Sequence, residues 1–419
     1  MKKIFVISWF YPPINSSEGL VTFKLINNSK YCYDVFTQNQ FYDWTYGSSV
    51  NYKNKKNINI IFSKTNSLKD WIEDAYQYFV KNKDKYDYIM TRAMPQESHV
   101  VGLRIKKTFP NVKWIASFGD PILHNPYHYI NCSLYSKHSL KNPINKSRRK
   151  LYKLSPKRFL YNCAWEYKHR PAVNLRNELK EIQLNTLKLA DQIILNNESQ
   201  KQYMLKKHKN YLNKTHVIRH SYDLSFYPNI EKKNHVKKRF VFVGHLDEIR
   251  NAGSLFCAIN ELNKSTKNLS EKVEFIFYGN MCAADKLFII DNDLCDIIKI
   301  KKPISYQESL KEMVNADWLV HIDGNINSII DENIFFAAKI ADYFGSGTNI
   351  LAITMQFGDV VDCLRKANAL VLSYSCSEIK NWLYLIIYQN YNKSLDKNFI
   401  ENFDAVNVAK EFDSKVIGE

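Results

Sequence analysis

Short apolar runs alternate with amphipathic stretches along the whole chain. Strand-like runs occur at Ile4 to Ser8, Asp34 to Thr37, Ile58 to Phe62, Tyr88 to Thr91, Trp114 to Ser117, Gln192 to Leu195 and His216 to Ile218. Between them, Leu68 to Lys81 places Trp71, Ala75, Tyr78 and Phe79 on one face at helical spacing. Further helices are predicted to start near Leu20 and to run from about Ser98 to Thr108 and Leu175 to Leu189. A second series begins near Arg239, with strands at Phe240 to Val243, Val273 to Tyr278, Ile297 to Ile300, Trp318 to Ile322, Asn349 to Ile353 and Ala369 to Leu372. Helices Glu308 to Ala316 and Ala337 to Gly345 fall between these strands. Strands that alternate with helices in this way predict parallel sheets covered on both faces.

The expected fold class is therefore α/β, with two Rossmann-like domains facing a cleft. The N-terminal domain would span 1–226, the linker 227–238, the second domain 239–393, and a helical tail 394–419. The linker is marked by Pro228 and the charges of Glu231, Lys232 and Lys233. A length of 419 residues is too great for one ordinary core and suits two of roughly 200 residues. Sheets of this kind bind ligands at the carboxyl ends of their strands, so candidate chemistry is sought in the loops there.

Composition narrows the class further. Hydrophobic residues make up 45% and charged residues 24%, which excludes a largely disordered chain. The longest apolar run, Trp382 to Tyr388, is far short of the roughly 20 residues of a membrane-spanning helix. Met1-Lys2-Lys3 leads straight into Ile4-Phe5-Val6-Ile7, too short for a signal-peptide core, so the expected location is the cytoplasm. The eight cysteines are scattered without a C-x-x-C pair, which predicts reduced structural thiols and no metal cluster. The 59 Lys and Arg against 42 Asp and Glu leave a net charge of +17, suited to anionic partners.

Several loops after strands carry candidate chemistry. Phe240-Val241-Phe242-Val243 ends in Gly244, where backbone can approach a ligand closely, and Arg250 follows with a guanidinium suited to phosphate. The segment Asp331 to Gly347 opens a helix whose free amides suit a diphosphate, with Lys339 adding charge and Glu332 and Asp342 able to hold sugar hydroxyls. The Trp9 to Gly19 loop is stiffened by Pro12 and Pro13 and is longer than a plain strand-to-helix connection. Asp120 and His99 are the polar groups best placed to meet an acceptor hydroxyl. Each piece alone also has a structural reading: a carboxylate capping a helix, an Asp before Pro in a turn, or a histidine packed on its own helix.

Together the pieces resemble a GT-B-fold glycosyltransferase, of the large retaining, sugar-nucleotide-dependent type of bacterial polysaccharide loci. The likeness spans nearly the whole chain. It rests on the order and spacing of Tyr11-Pro12-Pro13 with Gly19, Ala190 to Ile194, Val217 to Asp223, Gly244 with Arg250, Ala316 to Val320, and Lys339 to Tyr343. The resemblance implies donor-diphosphate contacts from Gly19, Arg250 and Lys339, with His245 at the place of a second basic residue and Gly244, Gly279, Ile334 and Phe335 as further donor-binding positions. It further implies a ribose contact from Asp342, a base contact near Ile304, and a sugar contact from Glu332. Catalytic candidates are then Asp120, His99 and Glu332, with no metal and no cofactor beyond the nucleotide-diphosphate donor. Two departures stand out: His245 replaces a basic residue, and the family's Glu-x7-Glu spacing is absent, with Ile334 eight positions before Asp342.

The expected partners are a sugar nucleotide and a glycan or lipid-linked acceptor. A basic and aromatic insertion at about 131–172, including Arg148, Arg149 and Lys150, suggests an anionic membrane surface as a third, met through 137–170. Nucleic acid is disfavoured because no recognised binding signature accompanies the charge. A non-catalytic subunit of the same fold, an epimerase of that fold and a basic nucleic-acid-binding protein are the alternatives.

Overall fold

The computed structural model describes residues 1–14, 16–39, 55–65, 67–123, 125–126, 170–229 and 234–418, with backbone alone for 170–176. In the first half the strands are β1 (Lys3–Ile7), β2 (Cys32–Thr37), β3 (Ile58–Phe62), β4 (Tyr88–Arg92), β5 (Lys113–Ser117), β6 (Gln192–Leu195) and β7 (Thr215–Val217). The helices among them are α1 (Ser17–Asn28), α2 (Leu68–Asn82), α3 (Glu97–Thr108), α4 (Arg170–Leu189) and α5 (Glu198–Leu205). The second half holds β8 (Lys238–Val243), α6 (Gly253–Ser265), β9 (Val273–Tyr278), α7 (Ala283–Asp291), β10 (Ile298–Lys301), α8 (Tyr306–Asn315) and β11 (Trp318–Ile322). It continues with α9 (Ala338–Ser346), β12 (Asn349–Ile353), α10 (Asp359–Lys366), β13 (Leu370–Leu372) and α11 (Cys376–Tyr388), and α12 (Ala405–Phe412) follows.

Among the described residues the thirteen strands pair in parallel, in two sheets ordered β3-β2-β1-β4-β5-β6-β7 and β10-β9-β8-β11-β12-β13. Strand order reverses between β1 and β4 and again between β8 and β11, so each sheet has a switch point where adjacent loops part. Helices cover both faces, which is why the central strands are apolar almost throughout. Along β1, Phe5 and Ile7 enter one core with Trp71, Trp114 and Ile193, while Ile4 and Val6 enter another with Phe23 and Ile115. This alternation is the two-residue period of a strand.

The tail does not stay with the second half. Val408, Ala409 and Phe412 of α12, with Val416 and Ile417 beyond it, complete the core that holds Ile4, Val6 and Phe23. Asp413 fixes the crossing, accepting from Ser29 Oγ at 2.6 Å and from the Lys30 amide at 2.9 Å. The expected insertion at about 131–172 falls outside the described residues except for the start of α4, and with it the suggested membrane contact. Among the described residues, no helix is long and apolar enough to cross a membrane.

One expectation is corrected. Cys257 on α6 and Cys376 at the start of α11 are joined as a disulfide, with Cα atoms 5.9 Å apart across a sequence separation of 119. Packing of α6 against α11 brings them together, which no local spacing could reveal. Cys32, Cys282, Cys295 and Cys363 are free thiols, and Cys132 and Cys163 lie outside the described residues.

Two glycines let the ends of β8 and β9 meet. Gly244 and Gly279 have φ of +136° and +137°, and a Cβ on Gly279 would stand 1.9 Å from the Gly244 carbonyl oxygen. Gly279→Ala therefore combines a backbone clash with left-handed strain, and should cost about 3 kcal/mol or more. Thermal or urea unfolding of the variant measures this, and unchanged stability would contradict the packing.

Candidate functional site

A cavity of about 390 Å³ lies between the two halves, bounded by the carboxyl ends of both sheets. From the first half it is lined by Ser17, Glu18, Leu20, Val21 and Lys24 on α1, by Gly119 and Asp120 after β5, and by His220. The second half contributes Val243, Gly244, His245 and Arg250 after β8, Pro303 and Ile304 after β10, Tyr306 on α8, and Phe335 to Lys339 with Asp342 around α9.

The wall from the second half is cationic. Asp247 Oδ1 accepts the amides of Ile249 and Arg250, both at 2.8 Å, closing a tight turn that delivers Arg250 to the cavity. His245 accepts at Nδ1 from the Asn280 amide at 3.3 Å, which leaves its proton on Nε2. Burial lowers the His245 pKa, and the neighbouring Lys339 and Arg250 charges add to the effect.

Lys339 is the least satisfied group of the wall. Its Nζ is buried without a hydrogen-bond partner and stands 4.1 Å from the Phe242 ring centroid. Gly244 makes room for it, since a Cβ there would lie 2.7 Å from the ammonium. Burial pushes the Lys339 pKa down to about 7, the Arg250 charge pushes the same way, and Asp323 opposes them.

Behind this wall Asp323 accepts from Thr354 Oγ1 at 2.8 Å and Asn333 Nδ2 at 2.9 Å, with His321 Nε2 at 3.0 Å. Burial works to raise its pKa, but His321, Arg250 and the Thr354 hydroxyl outweigh it and bring it to about 2. The N-cap of α9 is Ala337, whose side chain cannot bond the first-turn amides.

The opposite wall is acidic. Arg92 Nε donates to Glu18 Oε2 at 3.0 Å, and Arg92 also donates to Ser117 Oγ at 2.9 Å, so Glu18 is held in place over Gly119. Asp120 follows in the same loop. Burial raises its pKa to about 6, Glu18 adds to the rise, and Arg250 and Arg92 oppose it.

The floor joins the halves. Asp342 Oδ1 accepts from Lys24 Nζ at 2.6 Å and from Tyr306 OH at 2.8 Å, while Lys24 also donates to the Ser221 carbonyl at 3.1 Å. Val243, Pro303, Ile304 and Met313 supply apolar surface beside this pair. A second junction lies outside the cavity lining. Ser199 Oγ donates to Glu332 Oε2 at 2.9 Å, Asn197 donates to the Ile334 carbonyl at 2.9 Å, and Arg219 pairs with Asp359 at 2.7 Å.

Of the residues singled out from the sequence, Asp120, Gly244, His245, Arg250, Ile304, Phe335, Lys339 and Asp342 line the cavity together. Five others do not. His99 is fully buried, bonded at Nδ1 to Thr91 Oγ1 at 2.7 Å and packed 4.5 Å from the Phe118 ring; burial lowers its pKa to about 3. Glu332 is taken up by Ser199 at the junction, and Ile334 is fully buried in an apolar cluster with Ile249, Ile326 and Met355. Gly19 gives its amide to Ser16 Oγ at 3.0 Å and packs against the Tyr11 backbone, although its neighbours Glu18 and Leu20 reach the cavity. Gly279 supports the Gly244 turn from behind.

Lys24, Glu18 and Tyr306 carry the site without having been singled out. Lys24 had a readable signal, because it stands four residues after Leu20 on the face that α1 buries. Among the described residues, Cys257, Glu261 and Cys376 have ligand atoms within 4.8 Å of one another, but none lines the cavity and both thiols are joined in the disulfide.

No family model matches the chain, and no curated protein matches it by sequence. Solved structures do match it over its whole length. A sucrose-phosphate synthase from Thermosynechococcus elongatus superposes with a TM-score of 0.61 at 13% identity, covering 100% of this chain and 94% of that one. The lipopolysaccharide outer core galactosyltransferase WaaB gives 0.59 at 10% identity and 99% of each chain. An E. coli trehalose-6-phosphate protein bound with UDP-2-fluoro glucose gives 0.60 at 9% identity, again over 99% of each. Identities this low establish the architecture alone: two facing parallel sheets in the GT-B arrangement that these structures share.

Proposed function

We propose that the protein transfers a sugar from a nucleoside-diphosphate sugar to a hydroxyl group of a glycan or lipid-linked acceptor. The observation that carries this reading is Lys339, whose buried Nζ has no hydrogen-bond partner among the described residues and which lines the cavity with Arg250 at the start of an uncapped helix. Such a wall stabilises an anion with little reorganisation, and a leaving diphosphate is where negative charge develops in glycosyl transfer. The apolar surface of Pro303, Ile304 and Met313 suits a nucleotide base, and Asp342 suits the ribose.

In the reaction the bond from the sugar C1 to the phosphate oxygen breaks, and the electron pair leaves with the nucleoside diphosphate. A new bond forms between C1 and the acceptor oxygen, whose proton must be removed. By resemblance the transfer is retaining and metal-independent, and the leaving phosphate takes that proton. The position of Asp120 favours a second course: its carboxylate lies across the cavity from the cations and can accept the acceptor proton, giving inversion. The setting we propose is bacterial surface polysaccharide or glycoconjugate synthesis on the inner face of the membrane. The 137–170 segment would meet the anionic lipid there, and liposome sedimentation of a variant neutralised at Arg148, Arg149 and Lys150 would test that contact.

Arg250→Ala should weaken nucleoside-diphosphate binding about 10- to 100-fold in titration calorimetry, the value of one or two charge-assisted hydrogen bonds. Lys339 gives the binding a pH dependence. It is protonated below about pH 7 and neutral above, so at higher pH anion binding requires Lys339 to take up a proton from solvent. Affinity should then fall by up to about tenfold per pH unit above 7, and Lys339→Met should flatten the profile. Asp120→Asn separates the two courses. A loss of about 10²–10⁴ in turnover with donor affinity intact, and an inverted product by NMR, supports Asp120 as base. A retained configuration with near-normal turnover excludes it.

A further inference from the structure

Two asparagines and a glutamine are buried where β6 passes into α5. Asn196 and Asn197 follow the strand directly, and Gln200 lies in the first turn of the helix. Burying such amides is unfavourable unless their bonds are made, and here they are made in one direction only. The backbone N–H of Gln200 donates to Asn197 Oδ1 at 2.8 Å, so Asn197 Nδ2 faces Asn196 Oδ1, to which it donates at 2.6 Å. Asn196 Nδ2 is thereby turned to the Gly119 carbonyl and donates to it at 2.6 Å. A second arm runs from the Asn196 backbone N–H to Gln200 Oε1 at 3.0 Å, and from Gln200 Nε2 to the same Gly119 carbonyl at 3.1 Å. Both arms start at a backbone N–H, which can only donate, so the orientation of every amide in them is fixed.

Two donors on one carbonyl hold the plane of the Gly119–Asp120 peptide, and with it the Cα of Asp120. The other end of the relay lies in the second half. Asn197 Nδ2 also donates to the Ile334 carbonyl at 2.9 Å, in the segment that runs to Ala337, the N-cap of α9, and on to Lys339. The Glu198 amide and the Ser199 hydroxyl anchor the same helix start to Asp359 and Glu332, at 3.0 and 2.9 Å. One short stretch of chain thus holds both the loop that presents Asp120 and the segment that leads to the anion wall.

We infer that Asn196 and Asn197 are positioning residues for Asp120, a spacer of two side-chain amides that sets the reach of its carboxylate from the start of α9. Neither lines the cavity, so they act through Gly119 rather than by touching a ligand. The inference rests on the proposed transfer reaction, with Asp120 taking the acceptor proton. It gives the buried amides a purpose in distance: a base must stand within hydrogen-bond reach of the attacking hydroxyl while the diphosphate is held across the cavity.

The test is release of nucleoside diphosphate from UDP-glucose, UDP-N-acetylglucosamine and GDP-mannose with water as acceptor, read beside UDP and GDP affinity by titration calorimetry. Asn196→Ala should lower kcat about 10- to 100-fold, the scale that a shift of about 1 Å in a reacting group carries, and leave nucleoside-diphosphate affinity unchanged. In the Asp120→Asn background the same change should cost almost nothing further, because the group it positions is already gone. A full additional loss in that background, or parallel losses of turnover and affinity, makes the amides general scaffolding and overturns the inference. Asn197→Ser keeps an oxygen that can cap α5 and removes the donor to Asn196 and Ile334, so it decides the matter if Asn196→Ala does not fold. It should show the same loss of kcat and the same dependence on Asp120, and wild-type turnover in it overturns the relay. Full activity of Asp120→Asn overturns Asp120 as base, and no turnover of any of the three donors overturns the transfer reading itself. Both results are distinguishable from an Asp120-dependent enzyme that is indifferent to the two asparagines.

Discussion

The contact between Lys24 and Asp342 crosses from one half of the chain to the other, and the shape of the cavity depends on it. Two charges taken out of water carry a desolvation cost that their mutual attraction offsets only when geometry and hydrogen bonding are good. Here both conditions hold: the pair is 2.6 Å apart, Tyr306 adds a hydroxyl to the carboxylate, and Ser221 accepts a second bond from the ammonium. Removing either partner would leave a buried charge uncompensated, typically a loss of about 3–5 kcal/mol. Tyr227 strengthens the junction by donating to the Asp342 carbonyl at 2.6 Å.

The halves are held at other points as well, by Arg219 with Asp359 and by the return of α12 to the first core. These contacts set which loop ends face each other. One wall then gathers Arg250, Lys339 and His245, and the other presents Glu18 and Asp120. The separation has a chemical use. Glu18 is paired with Arg92, so on that wall Asp120 faces the Arg250 charge across the space where the reacting groups of a ligand would fall. Burial, with like-charge repulsion adding to it, displaces the pKa values of Lys339 and Asp120 towards neutrality, to about 7 and about 6.

Glycine placement gives the walls their proximity. Gly244 leaves space for the Lys339 ammonium and Gly279 leaves space for the Gly244 carbonyl, so a side chain at the first would displace the cation and one at the second would push the β8 and β9 ends apart. The Asp247 turn that directs Arg250 depends on the same strand end.

Much of this was legible in the chain itself. Most strands among the described residues are short apolar runs separated by amphipathic stretches, so the parallel α/β plan and the importance of strand ends could be read directly. Gly244, Arg250, Lys339 and Asp342 were findable because each follows a strand at a position where ligands approach such sheets. Other features are decided by tertiary packing. His99 and Glu332 look alike in sequence to functional groups, yet one is absorbed by Thr91 and aromatic rings and the other by Ser199. Cys257 and Cys376 meet only because α6 and α11 do. Lys24 and Asp342 are separated by 318 positions, and nothing local to either states that they share a bond. Periodicity and turn chemistry act over a few residues and are written in the chain, whereas which buried charge finds which partner is settled by how the two sheets come to face each other.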